Sequence, residues 1–238
     1  MAARKAKDKD PASEEEKVGA VQKVLDTIYD ASVKGNALEK PLVDMANDYT
    51  TRYDSKEKAA KAFIKSQVRK CGSVGFATGF GGVTTLPLAI GADLGGVTYL
   101  QVRMVAGIAQ IGGHDPNSDE VRSLTYLCLT GSAMNDIVKS VGIQVGTKFT
   151  KSLIGRIPGQ LIYAINKKVG FYFLTRFGQK GVVKISGVVP VVGGVIGGGL
   201  DVFLTKRIAK NAYETFIGED EEERKEEESI TDEERKGE

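Results

Sequence analysis

An all-α fold follows from three features of this 238-residue chain. Apolar residues recur at helical spacing in several segments. Helix-cap patterns stand at the head of those segments. Two long apolar runs are rich in Gly and broken by Pro, and they read as helical hairpins.

The elements follow in order. Residues 1–12 form a basic arm expected to be disordered, and residues 13–218 form one helical domain. Ser13 and Glu16 make a capping box, with Val18, Val21, Val24, Leu25 and Ile28 at helical spacing behind it. That helix is expected to end near Lys34-Gly35-Asn36. A short helix is predicted from Leu42 to Asp48. Asp54 with Glu57 opens another, with Ala60, Phe63, Ile64, Gln67, Val68 and Cys71 on one face.

From Cys71 to Ala92 there is no charged residue, but the run holds six Gly and one Pro. A hairpin broken near Leu86-Pro87 fits this better than a single membrane span. Leu94 to Ile111 reads as an apolar helix interrupted by Arg103. Gly112 to Pro116 is a turn containing His114, the one histidine. Asn117 and Glu120 cap the next helix, and Gly131 and Gly142 are breakers. A second Gly-rich run, Gly187 to Leu200, again carries no charge. It echoes the first in its order of Pro, Gly, lone Asp and Arg, although the spacing from Pro to Asp differs. The last helix covers about Leu200 to Phe216.

Charge is distributed unevenly. Residues 219–238 hold twelve acids against four bases, net −8; with +2 for the whole chain, residues 1–218 carry +10. Between Ile137 and Leu200 there is no acid and there are nine bases. Aromatic residues interleave them: Phe149, Tyr163, Phe171, Tyr172, Phe173 and Phe177. Such a segment, leading into a soft apolar one, is attracted to an anionic membrane surface. Lys139, Lys148, Lys151, Arg156, Lys167 and Lys168 are the candidate lipid- or anion-binding cations. Phe76, Phe80, Leu86, Val191, Val192 and Ile196 are the candidate membrane-contacting residues. The acidic segment 219–238 is complementary to the basic surface and is expected to compete with lipid for it. Gly at i and i+4 recurs at Gly75/Gly79, Gly91/Gly95, Gly142/Gly146, Gly193/Gly197 and Gly194/Gly198. On a helix that spacing lets a second backbone approach closely.

Signals for catalysis are weak. There is no Gly-Lys-Ser/Thr, no Gly-x-Gly-x-x-Gly and no His-Glu-x-x-His. His114 reads as a turn residue. One His and no Cys-x-x-Cys leave little for zinc, so no metal or cofactor is expected. Cys71 and Cys128 lie in apolar surroundings and read as buried free thiols of a reducing compartment. Nucleic acid is disfavoured as a partner, because no binding-fold signature accompanies the charge. Asp93, Arg103, Asp201 and Arg207 are lone charges beside apolar helix. Structural pairing, Asp93 with Arg207 or Asp201 with Arg103, is the plain account; a polar binding site is the other.

Leu86-Pro-Leu-Ala-Ile-Gly-Ala-Asp-Leu94, Tyr99-Leu-Gln-Val-Arg103, Ile108-Ala-Gln-Ile-Gly-Gly-His-Asp115 and Cys128-Leu-Thr-Gly131 together resemble the EcsC family. So do the run from Val188 to Asp201 and the Thr205-Lys-Arg and Ala212 that trail it. The resemblance covers about residues 35–216. It implies a bacterial, mostly helical protein; the family is named from a gene beside components of an ABC transporter, which supplies a name without a mechanism. It carries no catalytic residue to transfer. His114 stands where the family often has an aromatic residue.

The expectation is therefore a cytoplasmic protein, peripheral or conditionally inserted at an anionic membrane. It would act in membrane organisation, in lipid handling or as an accessory to transport, with a membrane transporter or a second copy as further partners. The alternatives are a soluble ligand-binding domain or hydrolase around Asp93, Arg103, Asp201 and Arg207, and a protein-interaction scaffold.

Overall fold

The computed structural model describes residues 11–35, 39–81, 95–143, 151–177 and 190–218, with side chains described in 14–35, 39–72, 97–143, 153–176 and 202–218. The fold is all-α. Its helices are α1 (Pro11–Lys34), α2 (Leu42–Arg52), α3 (Lys56–Gly81), α4 (Gly95–Gly112), α5 (Asp119–Leu129), α6 (Met134–Ser140), α7 (Lys151–Ile154), α8 (Gly159–Phe177) and α9 (Pro190–Phe216).

Helix α4 is the centre. Every residue from Val102 to Ala109 is buried, and the helix packs on α1, α2, α3, α5 and α9. A helix apolar on all sides needs such a jacket of neighbours. Its directions can be read from pairs of contacts. Lys56 Nζ donates to the Gly112 carbonyl, and Gly107 lies against Phe63, so α3 and α4 are antiparallel. Gln101 Nε2 donates to Thr205 Oγ1, and Gly112 lies against the Phe216 carbonyl, so α4 and α9 run in parallel. Helices α3 and α9 share the most extensive interface, and they are antiparallel. Val18 packs on Gly170 and Glu15 pairs with Lys167, which sets α1 parallel to α8.

The helix ends refine the sequence reading. Helix α1 begins at Pro11, two residues before the expected cap. Proline suits a first turn, where its missing N–H has no intrahelical partner to lose. Ser55, not Asp54, caps α3: its Oγ accepts from the Lys58 N–H at 3.3 Å. Asp54 instead lies 3.7 Å from the Lys58 ammonium. Ser118, not Asn117, caps α5, accepting from the Val121 N–H, while Asn117 bonds the Asp115 carboxylate. Helix α2 runs on to Arg52, past Asp48. Gly142 sits just past α6 with φ +83, so it ends that helix and cannot form an in-helix groove with Gly146. Leu86-Pro87 and the hairpin break placed there lie outside the described residues, but the second Gly-rich run is no hairpin. Pro190 to Leu200 is the first part of α9, which starts ten residues before the expected Leu200 because Pro190 suits a first helical turn.

His114 holds the turn after α4. It is buried, and its Nε2–H donates to the Phe216 carbonyl at 3.1 Å, which joins the ends of α4 and α9. Cys71 and Cys128 are buried free thiols. Burial pushes the Cys128 thiol up to about 12.

A Cβ at Gly107 would meet the Phe63 ring at 2.5 Å. Phe63 is fully buried and wedged edge-on against Tyr49 at 5.1 Å, so it has nowhere to go. Gly107→Ala should therefore destabilise by about 1–3 kcal/mol, the usual cost of overpacking, despite alanine's better helix propensity. Chemical denaturation checks it, and adding Phe63→Leu should recover part of the loss.

Burial raises the phenols of Tyr29, Tyr99 and Tyr126, and the carboxylates accepting from Tyr99 and Tyr126 add to it. Tyr99 is pushed up to about 12, with Glu39 accepting its hydrogen bond at 2.9 Å. The folded chain thus favours the neutral phenol, while the unfolded chain ionises near pH 10. Stability should be intact below pH 10 and fall as pH climbs toward 12. Thermal melts at pH 9 and pH 11 should differ by several degrees, the higher pH melting first.

Candidate functional site

The site grows from the α3/α9 pair. Between Glu57 and Asp93 the chain has no acid, and Lys58, Lys61, Lys65, Arg69 and Lys70 recur every three or four residues or adjacently. Helical spacing stacks these cations along the outer face of α3. On α9, Lys206, Arg207 and Lys210 are likewise exposed. Where the two faces meet they form a groove of about 490 Å³. Ile64, Val68, Ala209 and Tyr213 make its floor; Lys61, Lys65, Arg69, Lys206, Lys210 and Glu214 make its rim. Five cations against one acid create a positive field over an apolar base. The acid, Glu214, lies 3.8 Å from Lys210 one turn away.

A second groove, about 450 Å³, lies on the other flank of α3. It shares Lys65 and Arg69 with the first and adds Arg52, Lys70, Tyr49 and Tyr53. The two tyrosine rings stack at 6.3 Å, and the Arg52 guanidinium sits 5.8 Å over Tyr49. No acid lines this groove. The cationic ridge of α3 is thus flanked on both sides by concave surface.

The same two helices carry the uncharged runs. Gly72 faces Val202 so closely that a Cβ on the glycine would meet the valine at 2.9 Å. That contact marks a boundary. On one side lie the cations of both helices. On the other, α3 runs on without charge to Gly81, and α9 carries none from Pro190 to Leu200. Because the helices are antiparallel, the two uncharged halves lie side by side. The ten residues from Gly72 to Gly81 rise about 15 Å, roughly half the hydrocarbon thickness of a bilayer. Phe203, 69% exposed, stands on α9 just at the charged side of this boundary. Among the described residues, no helix is long and apolar enough to cross a membrane.

The expected anion-binding cations are placed elsewhere. Lys139 is exposed on α6, Arg156 is exposed in the turn after α7, and Lys167 and Lys168 are exposed on α8. Lys148 and the Lys151 side chain lie outside the described residues. Lys167 is not in an acid-free environment: Glu15 of α1 reaches it at 2.7 Å. The hydrogen bond from Lys167 lowers the Glu15 carboxyl from its ordinary value. An acid-free run of sequence says nothing of acids that a neighbouring helix supplies. Tyr163 and Phe171 flank Lys167 on one exposed stripe of α8, whereas Tyr172 and Phe173 turn toward the core. The backbones of Phe76, Phe80, Val191, Val192 and Ile196 lie on the uncharged halves of α3 and α9, their side chains outside the described residues, as is Leu86.

Arg103 is 1% exposed. Its guanidinium donates to the carbonyls of Ser32 and Lys40, and its Nε lies 3.4 Å from Glu39 Oε2. Its described ionic partner is therefore Glu39, in the connection between α1 and α2. Arg207 is exposed on α9, while Asp93 and the Asp201 side chain lie outside the described residues. Two members of the expected polar site are thus on view, one buried under α1 and α2 and one on the surface.

With this arrangement in view, the match over residues 11–217 decides the family. The chain belongs to the EcsC protein family. The match takes in α1 as well, which the residue motifs did not reach, and it stops at the end of α9. The acidic segment of this EcsC chain falls outside it. No curated protein and no solved structure matches the chain.

Removing the Arg103 guanidinium leaves the Ser32 and Lys40 carbonyls without this donor and takes away the opposite charge beside Glu39, which keeps the Tyr99 hydroxyl. Arg103→Met should cost about 3 kcal/mol, as breaking one side of a buried pair does. Urea unfolding, followed by circular dichroism, measures it.

Proposed function

We propose that this EcsC-family chain is a peripheral membrane protein that binds anionic lipid through the α3/α9 pair. One observation carries the reading: antiparallel packing sets two uncharged, Gly-rich helix halves side by side, directly beyond a cationic groove. The physics of a bilayer surface matches that sequence of layers. Cations at headgroup height gain about 1 kcal/mol each from an anionic leaflet. Exposed Phe203, at the boundary, suits the interface, where aromatic rings partition. Uncharged helix beyond it has the length of one leaflet, which supports shallow insertion over spanning.

The cytoplasmic leaflet is the proposed location, because it carries the anionic lipid, and two free buried thiols fit a reducing compartment. The exposed Tyr163–Lys167–Phe171 stripe of α8 is a secondary contact in this reading. Shaping or organising the membrane is the activity that such attachment supports best. No described cluster favours a catalytic reading over it.

Flotation with vesicles of phosphatidylcholine, with and without phosphatidylserine, tests the proposal. The chain should float with the acidic vesicles at low salt and largely stay behind with neutral ones. Lys65→Glu, Arg69→Glu and Lys206→Glu together should weaken binding at least tenfold, while Lys139→Glu with Arg156→Glu should change it less than threefold. Protein that remains unbound on acidic vesicles at low ionic strength would end the reading.

A further inference from the structure

We infer that the acidic segment 219–238 of this chain docks in the α3/α9 groove. The charges are complementary: net −8 in the segment, five cations against one acid on the groove. Reach is short. Helix α9 forms one wall of the groove and ends at Phe216, and Gly218, at φ +128, takes the chain out of helical conformation. Lys210 and Lys206 lie on that same helix, about 9 and 15 Å back along its axis from Phe216. The segment opens with five consecutive acids, Glu219, Asp220, Glu221, Glu222 and Glu223. Five extended residues span up to about 17 Å, so this run reaches both lysines without crossing the molecule.

Tethering turns individually weak ionic contacts into an effective occupant. A segment joined directly to its site has a local concentration in the millimolar range. On α8, Lys167 holds Glu15 at 2.7 Å, and in the groove Lys210 holds Glu214 at 3.8 Å, so the groove's advantage is its nearness to the segment and its excess of cations. The groove floor of Ile64, Val68, Ala209 and Tyr213 also offers a seat to Ile230, the segment's one aliphatic side chain.

Docking stands or falls independently of the membrane reading. If both hold, the segment and an anionic leaflet compete for one groove, and the chain carries its own brake on membrane binding.

Two measurements on the full chain test this. The first uses no lipid. Zero-length carbodiimide coupling of dilute protein, followed by mass spectrometry, should join carboxylates of 219–238 mainly to Lys61, Lys65, Lys206 and Lys210. Coupling spread evenly over all exposed lysines would overturn the inference. A mixture of isotope-labelled and unlabelled chains tests for a second copy as the site; products joining labelled to unlabelled chains as often as like to like would overturn it too. The second uses vesicles containing phosphatidylserine. Replacing Glu219, Glu221, Glu222 and Glu223 by Gln and Asp220 by Asn should tighten binding at least threefold. Adding Lys206→Glu and Lys210→Glu should abolish that difference. Groove-directed coupling without vesicle binding by any variant would retain docking and refute the membrane reading; vesicle binding with evenly spread coupling would do the reverse.

Discussion

A single buried cation organises the middle of this molecule. Arg103 stands in the core helix, where a guanidinium out of water is tolerated only if its donors are met. Its terminal nitrogens are met by the carbonyls of Ser32, in the last turn of α1, and Lys40, in the connection to α2, while its Nε, which has no hydrogen-bond acceptor, is answered by the charge of Glu39 3.4 Å away. Glu39 in turn accepts from Tyr99 and approaches Lys70, so one carboxylate ties α3 and α4 to the first connection. Gly35, at φ +75, makes the turn possible: a Cβ there would collide with the carbonyls of Glu39 and Lys40. These polar contacts act together with the apolar faces of α1 and α2, which bury Leu25, Ile28, Leu42 and Ala46 in the core.

With α4 so enclosed, α3 and α9 are left to cover its remaining flank, and their mutual packing sets the character of the surface. Each helix is divided along its length, charged in one half and uncharged in the other. Parallel packing would have set cations beside uncharged turns. Antiparallel packing pairs like with like, and a gradient from cationic to apolar develops along one face. Glycine permits the approach at the boundary, where Gly72 meets Val202. The cost of glycine in a helix, about 1 kcal/mol relative to alanine, is offset there by close contact between the helices.

Much of the fold was legible in the residues. The spacing Ala60, Phe63, Ile64, Gln67, Val68, Cys71 marked the inner face of α3; Ala60, Phe63, Gln67 and Cys71 are buried, while Ile64 and Val68 at its edge are half-buried and line the groove. The turn at His114, the breakers Gly131 and Gly142 and the apolar helix around Arg103 stand where local chemistry put them. Cap positions slipped by one residue at Ser55 and Ser118, because neighbouring polar side chains compete for the same first-turn donors and only geometry chooses between them. Among the described helical glycines, the ones most closely faced by a neighbour, Gly107, Gly112 and Gly170, are not members of the i, i+4 pairs, since what matters is the bulk on the facing helix.

The site was legible only in part. The long acid-free stretch after Ile137 drew attention, yet Lys167 within it holds an acid from α1. The shorter acid-free stretch between Glu57 and Asp93 carries the ridge that lines both grooves, and its regular spacing of Lys and Arg was the available signal. By itself the sequence determined that α1 to α5 and the second half of α9 are helical, and where charge is absent, because these depend on neighbours three or four residues away; α6, α7, α8 and the Gly-rich start of α9 carried no such local pattern. Only the tertiary structure decided which cations stand together, which are answered by an acid, and that two uncharged runs more than a hundred residues apart lie side by side. Coulomb and packing forces act through space, and the order of residues along the chain does not record those distances.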